Sequence, residues 1–330
     1  MTRILKFIFL FAGLGLLIWA MQSVDTTRVL ELLLNMGYGF ILILLVFALV
    51  TYIDTIAWQY NFHPEQVSRF SSLQLWRIRQ IGEAYNVITP LGTMGGEPVK
   101  AQLLKDHHGL TFKQGLASLV ITKTTMLTGL ITFFIPGIIL IYQSEIVSAE
   151  FKYISLIGMV VFTILIFLFF LFQVTGMLGV LASWADRVIP ALTGHAFLDQ
   201  LKTLDGLMSA FYREFPDRTI KSIFYAFVGW VVGLGELYFA LYFLGYDPTF
   251  AELWIIEALT QLIKVGSFYI PMSLGAQEGG LVVVFIGLGL TGDLGLAVSF
   301  VRRIKELAWV SAGLLLGWGM AFKPAKAQEG

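Results

Sequence analysis

Six runs of this chain are long and apolar enough to cross a bilayer: residues 4 to 21, 37 to 60, 115 to 143, 153 to 174, 221 to 245 and 296 to 321. A spanning helix needs about 20 mostly apolar residues, so these runs predict a polytopic helical membrane protein. The first follows Arg3 and Lys6 as a secretory signal would. Ala20, Met21, Gln22 and Ser23 make a poor small-x-small cleavage site, however, and the run reads as a retained membrane helix. With 57% of residues hydrophobic and 13% charged, little remains for a soluble domain. The absence of cysteine excludes disulfides, thiol catalysis, Cys-ligated zinc and iron–sulfur clusters, and a formal net charge of zero gives no basic field for nucleic acid.

Two further apolar stretches, about 81 to 97 and 253 to 290, are interrupted by Pro and Gly and read as re-entrant hairpins. Basic residues in the connections then set orientation, since cytoplasmic loops carry the excess. Arg3 and Lys6, then Arg69, Arg77 and Arg79 in 61 to 80, then Lys100, Lys105 and Lys113 in 98 to 114 fall on one side. Arg187, Lys202, Arg213, Arg218 and Lys221, followed by Lys323 and Lys326, join them, whereas the opposite loops hold Arg28 and Lys152. Both termini are expected in the cytoplasm of a bacterial cell, below its inner membrane. In the long 175 to 220 connection, Leu198, Leu201, Leu204, Leu207, Met208 and Phe211 form an apolar stripe. That stripe suits either an interfacial amphipathic helix or a packed connector.

The two broken stretches match each other. Pro90-Leu-Gly-Thr-Met-Gly-Gly-Glu97 and Pro271-Met-Ser-Leu-Gly-Ala-Gln-Glu278 are 181 residues apart, and an offset of 181 or 182 also lays helix 37 to 60 on 221 to 245 and 115 to 143 on 296 to 321. Asp54 then falls on Glu236, and Lys123 on Lys305. The expected architecture is an all-α polytopic membrane protein of two inverted-topology repeats, 1–145 and 146–330. Each holds three transmembrane helices plus a re-entrant hairpin, the second with a cytoplasmic amphipathic insertion at about 175–220. Three spans per half turn the second half upside down, as in many secondary transporters, whose sites lie at the repeat interface.

A helix broken inside lipid persists where protein, water or ligand satisfies its freed backbone groups. Helix amino-terminal ends suit phosphate or carboxylate, and glycine lets a ligand approach the backbone. The candidate head-group site is therefore Glu83, Asn86, Pro90, Gly95, Gly96, Glu97, Lys100 and Lys123 at the first break. At the second it is Pro271, Gly275, Gln277, Glu278, Gly279, Arg302, Arg303 and Lys305, with Lys264 nearby. Charges at depth cost about 2.5 to 3.5 kcal/mol each on insertion scales and tend to face a cavity or one another. The cations could serve a phosphate and the glutamates protons or a lipid amine. Alternatively, Glu97 with Lys123, and Glu278 with Arg302, Arg303 or Lys305, are fixed ion pairs holding the halves together.

Gly287-Leu-Gly289-Leu-Thr-Gly292 imitates a dinucleotide fingerprint, but no strand precedes it and it reads as a loop. Gly229 with Gly233, and Gly313 with Gly317, have the spacing that lets membrane helices approach closely. His107 and His108 are adjacent and, like His63 and His195, sit in expected loops, so neither a metal site nor a cofactor is expected.

Gly82-Glu83-Ala84-Tyr85-Asn86, running into Pro90 to Lys100, and Pro271 to Gly280 followed by Arg302-Arg303 carry a resemblance. The chain resembles the flippase-like transmembrane region of lysylphosphatidylglycerol synthases and their stand-alone relatives, some of them associated with hopanoid biosynthesis. The resemblance implies movement of a lipid between leaflets, with the paired breaks forming its head-group site. Full-length synthases append a soluble aminoacyl-transferase domain. This chain ends about ten residues after its last helix, so lysyl transfer is not expected. The reading is a non-enzymatic flippase whose cargo is a phospholipid, polyprenyl phosphate or hopanoid, with a second copy or lipid-biosynthesis enzymes as candidate partners. Its rivals are a membrane enzyme using Glu83, Glu97 or Glu278 as acid and base, and a non-catalytic lipid-binding scaffold.

Overall fold

The computed structural model describes residues 18, 19, 22, 25–89, 95–145, 147–177, 180, 184, 195–267, 270 and 273–321. Most of the expected first helix, together with Pro90 and Pro271, lies outside these residues. Every regular element among them is helical: α1 (Thr26–Asn35), α2 (Gly39–Gln59), α3 (Pro64–Val67), α4 (Ser72–Ile88), α5 (Glu97–His108) and α6 (Phe112–Gln143) come first. They are followed by α7 (Ala149–Thr175), α8 (His195–Glu214), α9 (Pro216–Phe243), α10 (Phe250–Gly266), α11 (Ala276–Gly287) and α12 (Gly292–Ala321). Four of them, α2, α6, α7 and α9, are long and apolar enough to cross a membrane. The expected last span forms as one unbroken helix, α12, whose central Arg302, Arg303, Lys305 and Glu306 lower its hydropathy.

Side-chain caps explain where several helices start. Ser71 accepts from the Gln74 N–H while the Gln74 amide receives the Ser71 N–H, so α4 begins at residue 72 and not near 81. The same reciprocal box opens α6 at Thr111 with Gln114, and α10 at Thr249 with Glu252. Asp25 caps α1, an amphipathic helix where only a connecting loop is read from hydropathy. Because α4 and α5 reach so far, Arg77, Arg79 and Lys100 are helical residues and not loop cations.

Helices α2 and α9 lie side by side at the centre, with α6 against α9. Hairpin α4–α5 packs through α4 on α12, and hairpin α10–α11 packs through α10 on α6, so each hairpin rests on the long helix following the other. The main core is shared across these elements, with Phe133, Phe134, Trp254, Ile256, Leu281 and Phe285 fully enclosed or nearly so. Close approach depends on small residues. A Cβ on Gly313 would lie 2.5 Å from the Gln80 carbonyl oxygen, and one on Gly229 would lie 2.7 Å from an Asp54 carboxylate oxygen, whereas one on Gly233 meets nothing within 4 Å. Helix α8 packs through its second half, its Met208, Phe211 and Tyr212 buried against Ala117 and Ile121 of α6, with Phe170 and Val174 of α7 alongside.

At the last residue of α5, His108 donates its Nδ1–H to the Arg69 carbonyl at 3.0 Å. Burial holds its pKa below the usual histidine value, with the Arg69 hydrogen bond opposing and neighbouring His107 reinforcing that shift. The unfolded chain then binds the extra proton more readily, so this contribution to stability is present above about pH 6.5 and is lost as pH falls through the folded-state pKa. Thermal unfolding of purified protein between pH 7.5 and 5.5 should show a decline that is shallower in His108→Gln; parallel declines would contradict it.

Candidate functional site

The first break joins α4 to α5 and is stitched to α4 by backbone proximity. The Gly96 N–H donates to the Asn86 side-chain oxygen at 2.6 Å, and the Asn86 amide donates to Glu83 at 3.1 Å and Glu97 at 3.4 Å. A Cβ on Gly96 would sit 1.8 Å from the Gly82 carbonyl oxygen, and one on Gly82 would sit 2.2 Å from the Lys100 stem. Lys100 therefore lies across a helix surface that only glycine leaves open. Its side chain is 3% exposed, and its ammonium is 2.7 Å from Glu83 and 3.1 Å from Glu97. Lys123 of α6 reaches Glu97 at 3.4 Å but leaves 45% of its side chain exposed, and the second Glu97 oxygen has no partner among the described residues. Asp54 of α2 pairs instead with Arg79 of α4, at 2.7 Å.

The second break is closed tighter. Ser273 at φ 49° and Gly275 at φ 75° turn the chain into α11, and the Gly275 N–H donates to Glu278 at 2.6 Å. The other Glu278 oxygen receives Arg303 of α12 at 2.6 Å; the same guanidinium reaches Glu306 at 3.0 Å and the Ser273 carbonyl at 3.3 Å. Arg302 turns away to Glu257 of α10 at 2.5 Å, whose other oxygen accepts from Gln261. Lys305 is bound to Glu236 of α9 and lies over the Phe47 ring, 4.2 Å from its centroid. Gln277 is buried with its side-chain nitrogen unpartnered among the described residues.

The opposite face of the second break is apolar. Gly275, Gly279 and Gly280 border a cavity of about 650 Å³ whose remaining wall is chiefly Phe151, Ile154, Leu259, Leu262, Ile263 and Val283. One short helix start thus separates an ionic cluster from a hydrocarbon-lined space.

The sequence-derived site residues fall into two clusters, one at each break. Glu83, Asn86, Gly95, Gly96, Glu97, Lys100 and Lys123 belong to the first. Gly275, Gln277, Glu278 and Gly279 lie at the second break, with Arg303 bound to Glu278; Arg302 and Lys305 point to Glu257 and Glu236. Arg79 and Glu257 escape sequence reading: Arg79 counts there as a loop cation, and Glu257 lies in an apolar run. The Ser71-x-x-Gln74 cap is the signal that would have placed Arg79 on a helix. Among the described residues, no group of three or more His, Asp or Glu could hold a metal ion.

A model of the lysylphosphatidylglycerol synthase TM region matches residues 3–313. The chain is also similar to a UPF0104 membrane protein of Methanothermobacter thermautotrophicus, at 27% identity over 233 residues, covering 67% of this chain and 66% of the relative. The matched segment is thus just under two thirds of that protein's length. No solved structure matches.

Proposed function

Because this chain belongs to the lysylphosphatidylglycerol synthase transmembrane-region family, we propose that it carries a lipid between leaflets, taking the head group at the two glycine-rich breaks. The carrying observation is the division at the start of α11. Glu278 and Arg303 lie on one side, and the 650 Å³ apolar cavity lies on the other. An amphiphile needs such a pairing of polar contacts with an apolar slot for its chains.

The exchange of hairpins, α4 on α12 and α10 on α6, supports a duplicated architecture in which the second half is inverted. Rocking one half against the other about the α2–α9 contact would expose the breaks alternately. In this reading both termini face the cytoplasm of a bacterial inner membrane, and the protein transports without altering its cargo. The cargo is a phospholipid, a polyprenyl phosphate or a hopanoid.

Proteoliposomes containing fluorescent or chemically accessible lipids test the proposal. Movement above that of empty liposomes is expected for at least one cargo class, and none across those classes sinks it. Appearance of a chemically altered lipid would instead assign the site to head-group chemistry. Glu97→Gln and Glu278→Gln should each slow transport about tenfold or more if these carboxylates exchange protons during the cycle. Unchanged rates in folded variants would make them fixed ion-pair partners.

A further inference from the structure

The two halves differ at one ion pair. At an offset of 182, Lys123 corresponds to Lys305 and Asp54 to Glu236. In the second half these equivalents are bound to each other: Lys305 is paired with Glu236 and its side chain is 8% exposed. In the first half the bond is missing. Asp54 is held by Arg79 at 2.7 Å, although Lys123 and Glu83 lie within its electrostatic reach. Among the described residues Lys123 has one ion-pair contact, 3.4 Å to Glu97, and its side chain is 45% exposed. The positions matching Arg79 in the second half, Thr260 and Gln261, carry no charge, so no cation at the matching position competes for Glu236. Lys123 lies about 16 Å along α6 from its first residue. A cation at that depth is costly unless an anion or water meets it.

We propose that Arg79 is a positioning residue: by holding Asp54 it keeps the Lys123 ammonium open to the phosphate of an anionic head group. Lys123, beside Glu97, is then the contact that meets the phosphate, and Lys305, bound to Glu236, is its locked counterpart in the second half. Glu97 keeps Lys123 aimed at the break, and a phosphate arriving there replaces a long, single contact and not a closed pair. The inference rests on reading the first break as a head-group site.

The full chain in detergent is titrated calorimetrically with dihexanoyl phosphatidic acid and, separately, with inorganic phosphate. Wild-type protein should bind the lipid probe. Arg79→Gln should weaken binding about tenfold by releasing Asp54 to Lys123, and Arg79→Lys should stay within about threefold of wild type. Removing the competing acid as well, in Asp54→Asn/Arg79→Gln, should restore binding to within about threefold, and adding Lys123→Gln should abolish that recovery. A double variant as weak as Arg79→Gln overturns the proposal by making Arg79 a direct ligand, as does wild-type binding in Lys123→Gln or absence of binding to either probe. If Arg79→Gln is not monodisperse, the double variant with and without Lys123→Gln carries the same decision, because it leaves no buried charge unpaired. The same pattern with inorganic phosphate assigns recognition to the phosphate group itself; the pattern with the lipid probe alone adds a requirement for the chains, and both uphold Arg79's role. Binding that follows this pattern in a protein that moves no lipid retires the transport reading and leaves Arg79's role standing. Transport without the pattern does the reverse.

Discussion

Gly96→Ala should destabilise the protein by about 3 kcal/mol or more, against a neutral to slightly favourable effect of Gly233→Ala. The backbone at Gly96 is ordinary right-handed, φ −86° and ψ −15°, so alanine meets no conformational penalty there and the effect is one of space. Its Cβ would lie 1.8 Å from the Gly82 carbonyl oxygen and 2.6 Å from the carbonyl carbon, atoms of a helix backbone that cannot rotate away. The start of α5 must therefore lift from α4. Lifting it breaks the 2.6 Å bond from the Gly96 N–H to Asn86 and draws Glu97 and Lys100 out of register with Glu83. An unsatisfied buried polar group adds about 1 to 3 kcal/mol to the cost of overpacking. Gly233 is the internal control, also helical, with nothing within 4 Å of where an alanine methyl would stand. Thermal unfolding in detergent should separate the two variants by several degrees, and equal midpoints would contradict the close stitching of the break.

That break was legible in the sequence because backbone needs are local. A Pro followed by glycines and a Glu inside an apolar stretch signals an interrupted helix wherever it lies, and the offset shared with Asp54, Lys123 and Glu278 is the ground for proposing a duplication. Pair partners were not legible in the same way. Arg302 and Arg303 are adjacent, so they point about 100° apart on α12, and which of them meets Glu278 depends on the rotation of that helix against α10 and α11. Lys100 reads as a loop cation because its burial requires Gly82, which lies on the other arm of the hairpin. Arg79 suffers from a misplaced boundary, since hydropathy alone starts the hairpin where the apolar residues begin, while the cap at Ser71 starts it earlier. Helix α1 was lost for a related reason: its ten residues are too few and too amphipathic to register as a span.

The second large effect is expected at Arg302, where truncation to methionine should cost about 3 to 5 kcal/mol while the paired replacement Arg302→Met/Glu257→Leu recovers most of it. Both partners are enclosed, Arg302 5% and Glu257 7% exposed, and Glu257 already uses its two oxygens on Arg302 and Gln261. Removing the guanidinium alone leaves an enclosed carboxylate that has lost its bonded cation, which is far worse than never having buried the charge. Removing both charges exchanges a desolvated ion pair for hydrocarbon of comparable volume. Thermal unfolding of the two single variants and the double variant closes this cycle, and a double variant no more stable than Arg302→Met would show that the pair is not an isolated unit. Under the proposed function, lipid movement adds a second readout. If Arg302 serves only to fasten α12 to α10, the double variant should move lipid at nearly the wild-type rate. The equivalent removal of charge at the first break, Glu97→Gln/Lys123→Gln, should not, because Lys123 is open where Arg302 is sealed. Equal loss of transport in both double variants would instead make Arg302 part of the head-group path.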